Sequence, residues 1–159
     1  MHIEPYAPAH VDAVVRLSLR AWAPVFASLE QVLAPDLYQT FYPSGWLVSQ
    51  EKSVRDACAS PDMKLWVAIE SATVAGFVAL RFHAADKLGE IYMIAVDPDF
   101  QRRGIANALT EFAVTRMKEA GMTIAMVETG GDPGHGPARA AYEKSGFRPF
   151  HAARYFKKI

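Results

Sequence analysis

The 159-residue chain is 51% apolar and balances 17 basic against 17 acidic side chains, enough for one full hydrophobic core and without a net field toward nucleic acid or anionic membrane. A single cysteine, Cys58, excludes an internal disulfide and a thiolate metal cluster, and no HxxxE, HExxH or Cys/His spacing suggests a metal. Residues 1–5 lack a basic segment followed by an apolar one, and no run reaches membrane-spanning length, so the expectation is one cytoplasmic domain over residues 1–159 with no metal and no membrane or nucleic-acid partner.

In chain order, Ile3 to Tyr6 opens as a short strand. Val11, Val14, Val15, Ser18 and Trp22 recur at helical spacing and predict an amphipathic first helix. Pro24, Pro35 and Pro43 are expected to break the next stretch into short helical pieces. That stretch carries Trp22, Phe26, Tyr38, Phe41, Tyr42 and Trp46, aromatics suited either to core packing or to lining a pocket. A helix from about Trp46 to Ala59 stops before Pro61, because a residue preceding proline disfavours helical geometry, and it gives Cys58 a packing position. Leu65, Val67 and Ile69 then alternate with Trp66 and Ala68. Val74 to Phe82 forms a second apolar run, and Glu70-Ser71-Ala72-Thr73 joins the two as an antiparallel hairpin.

The next unit is strand, loop, helix, strand. Glu90 to Val96 is a run of β-formers that ends at Asp97-Pro98. Ile105, Leu109, Phe112, Ala113, Arg116 and Met117 trace one helix face that closes at Gly121, and Thr123 to Val127 follows as a strand. Such a crossover makes its two strands parallel. The connecting loop reads Gln101-Arg102-Arg103-Gly104-Ile105-Ala106. Unpaired N–H groups at a helix N-terminus suit phosphate oxygens, Gly104 allows close approach, Ala106 keeps the first turn narrow, and Arg102 and Arg103 supply positive charge. The plainer alternative is a solvated basic loop with a turn glycine.

Here the sequence resembles the GNAT superfamily, the Gcn5-related N-acetyltransferases. Gln101 to Ala106 matches the family's Gln/Arg-x-x-Gly-x-Gly/Ala loop, which cradles the coenzyme A pyrophosphate through the positions of Gln101, Arg102, Arg103, Gly104, Ile105 and Ala106. Ile94-Ala95-Val96-Asp97-Pro98 is similar to the strand end whose backbone holds the acetyl carbonyl and the pantetheine arm, and Ala138 to Phe147 matches the Ala-x-x-x-Tyr-x-x-x-Gly-Phe helix. The resemblance, over roughly Ile3 to Lys157, implies an α/β (α+β) domain. Its mixed, splayed sheet would have about six or seven strands, with helices on both faces. Acetyl-coenzyme A would be the co-substrate and a primary amine, on a small molecule, the acceptor.

By the same resemblance Tyr142 is the candidate general acid that protonates the departing thiolate; without it, Tyr142 reads as a packed helix tyrosine. Glu90 occupies the position of the catalytic glutamate in the histone-acetylating branch. By plain alternation it shares a face with Tyr92, Ile94 and Val96 unless a bulge intervenes, and it reads equally as an exposed strand-start carboxylate. Glu128 is a second candidate base. The clearest departure is Glu128 to Pro137, where His135 stands in place of an asparagine that contacts pantetheine; it suits a cofactor contact by donating a ring N–H, proton transfer, or a helix cap. Turn geometry accounts for Gly130-Gly131 and Pro133-Gly134. The alternatives are a non-catalytic acyl-coenzyme A binding module, a peptide or protein N-acetyltransferase, and a different acyl transfer on the same fold. A Rossmann-type site is disfavoured because the loop lacks the first glycine of GxGxxG. A homodimer is the commonest soluble assembly to test for.

Overall fold

The computed structural model describes all 159 residues. Strands β1 (His2–Pro5), β2 (Met63–Glu70), β3 (Thr73–His83), β4 (Leu88–Val96) and β5 (Ile124–Val127) form one sheet in the order β1-β2-β3-β4-β5. The first four pair antiparallel and β5 joins β4 parallel, as the crossover order requires. The helices are α1 (Val11–Val32), α2 (Pro35–Phe41), α3 (Trp46–Ala59), α4 (Ile105–Glu119) and α5 (Gly136–Lys144).

Two cores lie on opposite faces of the sheet. Val14, Val15 and Leu17 of α1 and Val54 of α3 pack on Val67, Phe77, Ala79 and Ala95. Ile105, Leu109, Ala113 and Met117 of α4 pack on Val78, Leu80, Ile91 and Val96. Gly89 sits where any Cβ would run into the Met117 side chain, so glycine permits the close seating of α4 on β4.

Two expectations are corrected, and the aromatics take the core option. The sheet has five strands, not six or seven, because residues 148–159 add none; Pro149 removes a ladder donor, and Phe150 and Tyr155 stay more than nine-tenths exposed. Pro24 does not end the first helix, which runs through it to Val32. Buried α1 side chains on both sides of Pro24, from Val14 to Phe26, outweigh the roughly 3 kcal/mol that an internal proline costs. The aromatics mostly stack on one another between α1, α2 and α3: Phe26 lies 4.5 Å from Trp46 and 5.3 Å from Tyr42, ring centre to ring centre.

The feature that shapes the site is a split in the sheet. β5 pairs with β4 only from Leu88 to Ile91, whereas β4 continues to Val96 against β3 alone. β5 ends at Val127, opposite Ile91, so beyond that point β4 has an open edge, and the chain leaving β5 forms the far lip of a gap.

Candidate active site

The near lip of the gap is a bare strand edge. The Asp97 N–H bonds the Ala75 carbonyl on β3 at 2.8 Å, and strand backbone direction alternates, so Ile94 and Val96 aim their N–H groups away from β3 into the gap, while Ala95 faces β3. At its end the chain turns through Pro98–Phe100, where the Asp97 carboxylate accepts from the Asp99 N–H at 3.0 Å. The Gln101 side chain donates to the Val96 carbonyl at 3.0 Å, tying the loop to the strand end.

From there the backbone is wound into a cradle. Arg102 and Gly104 take the left-handed conformation, at φ of 60° and 83°, and the N–H groups from Arg102 to Asn107 have no hydrogen-bond partner in the chain. A cleft of about 340 Å³ runs from Val96 across this loop to Ile105 and Ala106, and Ala141 and Lys144 of α5 close its other side. The Ser145 hydroxyl, 3.2 Å from the Asn107 amide oxygen, docks α5 there. Aligned N–H groups at the positive end of a 15-residue helix, with Arg102 and Lys144 alongside, form an anion site with room for a pyrophosphate. Arg103 instead lies over the Phe100 ring, 5.3 Å from its centre.

Glu90 lies just before the point where the strands part. A bulge leaves Tyr92 without a partner on β3, since Ala79 pairs with Met93 and Leu80 with Ile91. Plain alternation therefore fails, and Glu90 shares its face with Met93 and Ala95, the α1 side, and not with Ile94 and Val96. Its side chain is 15% exposed, 2.8 Å from the His83 Nε2 and 3.7 Å from Arg81, whose guanidinium stacks on Tyr92. Glu128, by contrast, is 68% exposed and pairs with Arg154 at 2.6 Å.

Tyr142 is largely enclosed on α5, edge-on to Phe147 at 6.0 Å, and burial pushes its hydroxyl up to about 12. That hydroxyl makes no hydrogen bond within the chain, to Glu90, His135 or any other group. His135 does not cap α5 with its side chain. Its Nδ1 is bonded to the Asp132 carboxylate instead, so in the neutral ring Nε2 is a bare acceptor, the reverse of a ring N–H donor. Burial alone would raise the Asp132 carboxyl, yet hydrogen bonds from Ser28 and His135 hold it below the usual carboxylate range. The glycines of this loop take no positive φ, so turn geometry is not their reason. Gly134 is required because it abuts Ser28, Gly130 because it abuts Asp132 and His135; nothing in the structure explains Gly131.

The model of the acetyltransferase (GNAT) family matches residues 33–147, most of the chain and all of the cradle, the gap and α5. The chain belongs to the GNAT family. Among curated relatives, mycothiol acetyltransferase of Streptomyces coelicolor is 35% identical over 45% of this chain and 23% of its own length. Human N-acetylaspartate synthetase is 34% identical over 60% of this chain and 31% of its own. This GNAT chain thus spans about a quarter to a third of the length of these relatives. An apo aminoglycoside 6'-N-acetyltransferase from Acinetobacter haemolyticus shares the fold at a TM-score of 0.69 and 17% identity, over 100% of this chain and 99% of that one. An N-acetyltransferase from Thermoplasma acidophilum solved in complex with coenzyme A does so at 0.65 and 15%, over 93% and 91%.

Sequence reasoning missed four residues at this GNAT site. Lys144 reaches the cleft only because α5 docks on α4. His83 and Arg81 become neighbours of Glu90 through the β3–β4 register, and Ser28 meets Asp132 across 104 residues of chain. Only the hairpin register could have been guessed, by counting from its turn.

Proposed function

We propose that this chain transfers the acetyl group of acetyl-coenzyme A to a primary amine of a small molecule, by direct attack of the amine on the thioester. One observation carries the reading: a bare β4 edge facing a gap that opens onto unpartnered N–H groups at the α4 N-terminus. The cradle from Gln101 to Ala106, with Lys144, would take the pyrophosphate. The Ile94 and Val96 N–H groups would bond the pantetheine arm and the acetyl oxygen, on which negative charge develops as the amine adds. The bare His135 Nε2 would accept from an amide N–H of that arm.

As the new C–N bond forms, the amine nitrogen must lose a proton, and the half-enclosed Glu90 takes it, directly or through one water, with His83 able to pass it to solvent. When the C–S bond breaks, the Tyr142 hydroxyl protonates the thiolate and is itself reprotonated from solvent. A small-molecule acceptor is supported by the names mycothiol acetyltransferase and N-acetylaspartate synthetase among the relatives and aminoglycoside 6'-N-acetyltransferase among the structural neighbours, whereas the neighbouring ribosomal-protein-S18-alanine N-acetyltransferase is the reason that peptides belong in the assay. The decisive experiment follows thiol release from acetyl-coenzyme A against a panel of amines, amino acids, aminoglycosides and peptides. Turnover with a small amine supports the reading. Turnover with peptides alone replaces the acceptor, and tight binding without any turnover points to a binding module.

Glu90→Gln should lower kcat/KM at neutral pH by about a hundredfold. Much of the loss should return at high pH, where the free-amine fraction rises. A variant that follows wild type across the pH range makes Glu90 structural and returns attention to Glu128 or water.

A further inference from the structure

Helix α1 touches both lips of the gap through polar side chains. On the near lip, Arg20 donates from Nη1 to both Asp97 oxygens at 2.8 Å and from Nη2 to Asp99 at 3.0 Å. Asp97 directly follows Val96, the last residue of β4, and its side chain is 11% exposed. On the far lip, the Ser28 hydroxyl donates to Asp132 at 2.8 Å and accepts from the Gly134 N–H at 3.0 Å. The Asp132 side chain is 6% exposed. A Cβ at Gly134 would stand 2.6 Å from the Ser28 Cβ, so glycine is what lets the loop come so near. Arg139 braces the same loop from α5, donating to the Asp132 carbonyl at 2.9 Å.

The spacing of the two attachments has a meaning in length. Arg20 and Ser28 stand eight helix positions apart, about 12 Å along the axis. An extended chain lying between two strands keeps each about 4.8 Å away, which sets the lips roughly 10 Å apart. A pantetheine arm, with its two amides, is such a chain.

We propose that α1 is a strap across the split sheet, and that Arg20 and Ser28 are positioning residues whose bonds to the two lips set the gap at the width that admits the pantetheine arm. This rests on the acetyl-coenzyme A reading above. Both attachments are to carboxylates that are mostly buried and multiply bonded, so each is directional and neither lip can slide without breaking several bonds at once. Neither Arg20 nor Ser28 lines the phosphate cleft, so the strap acts on the arm and leaves the cradle alone.

The test is calorimetric titration of the full chain with two ligands: coenzyme A, and adenosine 3',5'-bisphosphate, which offers the cradle the 5'-phosphate of the same nucleotide but has no pantetheine arm. Ser28→Ala and Arg20→Met should each raise the Kd of coenzyme A by about tenfold or more, with the bisphosphate Kd unchanged. Arg20→Lys, which keeps the charge but cannot bridge both carboxylates, should fall between. A merely structural role would lower the melting temperature without altering the ratio of the two affinities. Folded variants that bind coenzyme A as wild type does, or that lose both ligands by the same factor, overturn the strap. Should Arg20→Met fail to fold, Ser28→Ala decides alone, since it removes one oxygen and leaves Asp132 bonded to His135 and Gly134. A wild-type chain that binds neither ligand overturns the acetyl-coenzyme A reading and the strap together; binding by wild type with unchanged variants removes the strap only.

Discussion

Gly104→Asp should weaken coenzyme A binding by about a thousandfold and abolish the rise in melting temperature that the ligand produces. Gly104 is the N-cap of α4, at φ 83° and ψ −1°, and a Cβ there meets nothing within 4 Å. The substitution therefore has room. Its cost is the left-handed backbone, about 1–2 kcal/mol for an ordinary residue and less for aspartate, which tolerates that region, so the variant folds. Its carboxylate would stand among the N–H groups that receive phosphate. Two charges about 4 Å apart near a protein surface repel by about 4 kcal/mol, equivalent to about three powers of ten in Kd. Calorimetry and thermal melts with and without coenzyme A check this. A folded Gly104→Asp chain with unchanged affinity would show that the cradle holds no phosphate.

Tyr142→Phe is the second large effect, expected mainly in kcat, at about ten- to a thousandfold. The ring that packs on Phe147 is retained, and the lost hydroxyl has no hydrogen bond in the chain, so fold and coenzyme A affinity should barely change. An interaction made only in the transition state lowers kcat and kcat/KM together. Because burial pushes the hydroxyl up to about 12, it carries its proton throughout the working pH range. The linked stability has a definite sign: it is fully present below about pH 10, the ordinary tyrosine value, and is lost as pH rises toward 12. Tyr142→Phe should therefore flatten part of the fall in melting temperature over that window, while Tyr6, also raised to about 12, and Tyr38, Tyr42 and Cys58, raised by burial, keep contributing to it. Single-turnover rates with a verified amine measure the catalytic part. Full kcat in Tyr142→Phe, where chemistry limits turnover, would falsify its role as acid.

Local patterns carried a large part of this protein. The α3 limits, Trp46 to Ala59, follow from apolar spacing and Pro61, and the β2–β3 hairpin from alternation around a short turn. The cradle and its helix are equally local, because six consecutive residues and one glycine define an N-terminus that needs no distant partner to leave its N–H groups free. What lay beyond sequence is what depends on contacts between remote segments. Pro24 inside α1 is tolerated because buried side chains on both sides outweigh a local preference. The face of Glu90 was settled by one unpaired residue, Tyr92, since a period of two turns any bulge into an exchange of faces. His135 became an acceptor once Asp132 claimed its Nδ1, and Asp132 is held in turn by Ser28, 104 residues away. Sequence patterns follow the chain and its short periods, so they determined the cradle loop, the limits of α3, the β2–β3 hairpin and the parallel crossover from β4 to β5. The width of the gap, the pairing of its acids and bases and the strap that spans it arise between elements, and only tertiary packing decided them.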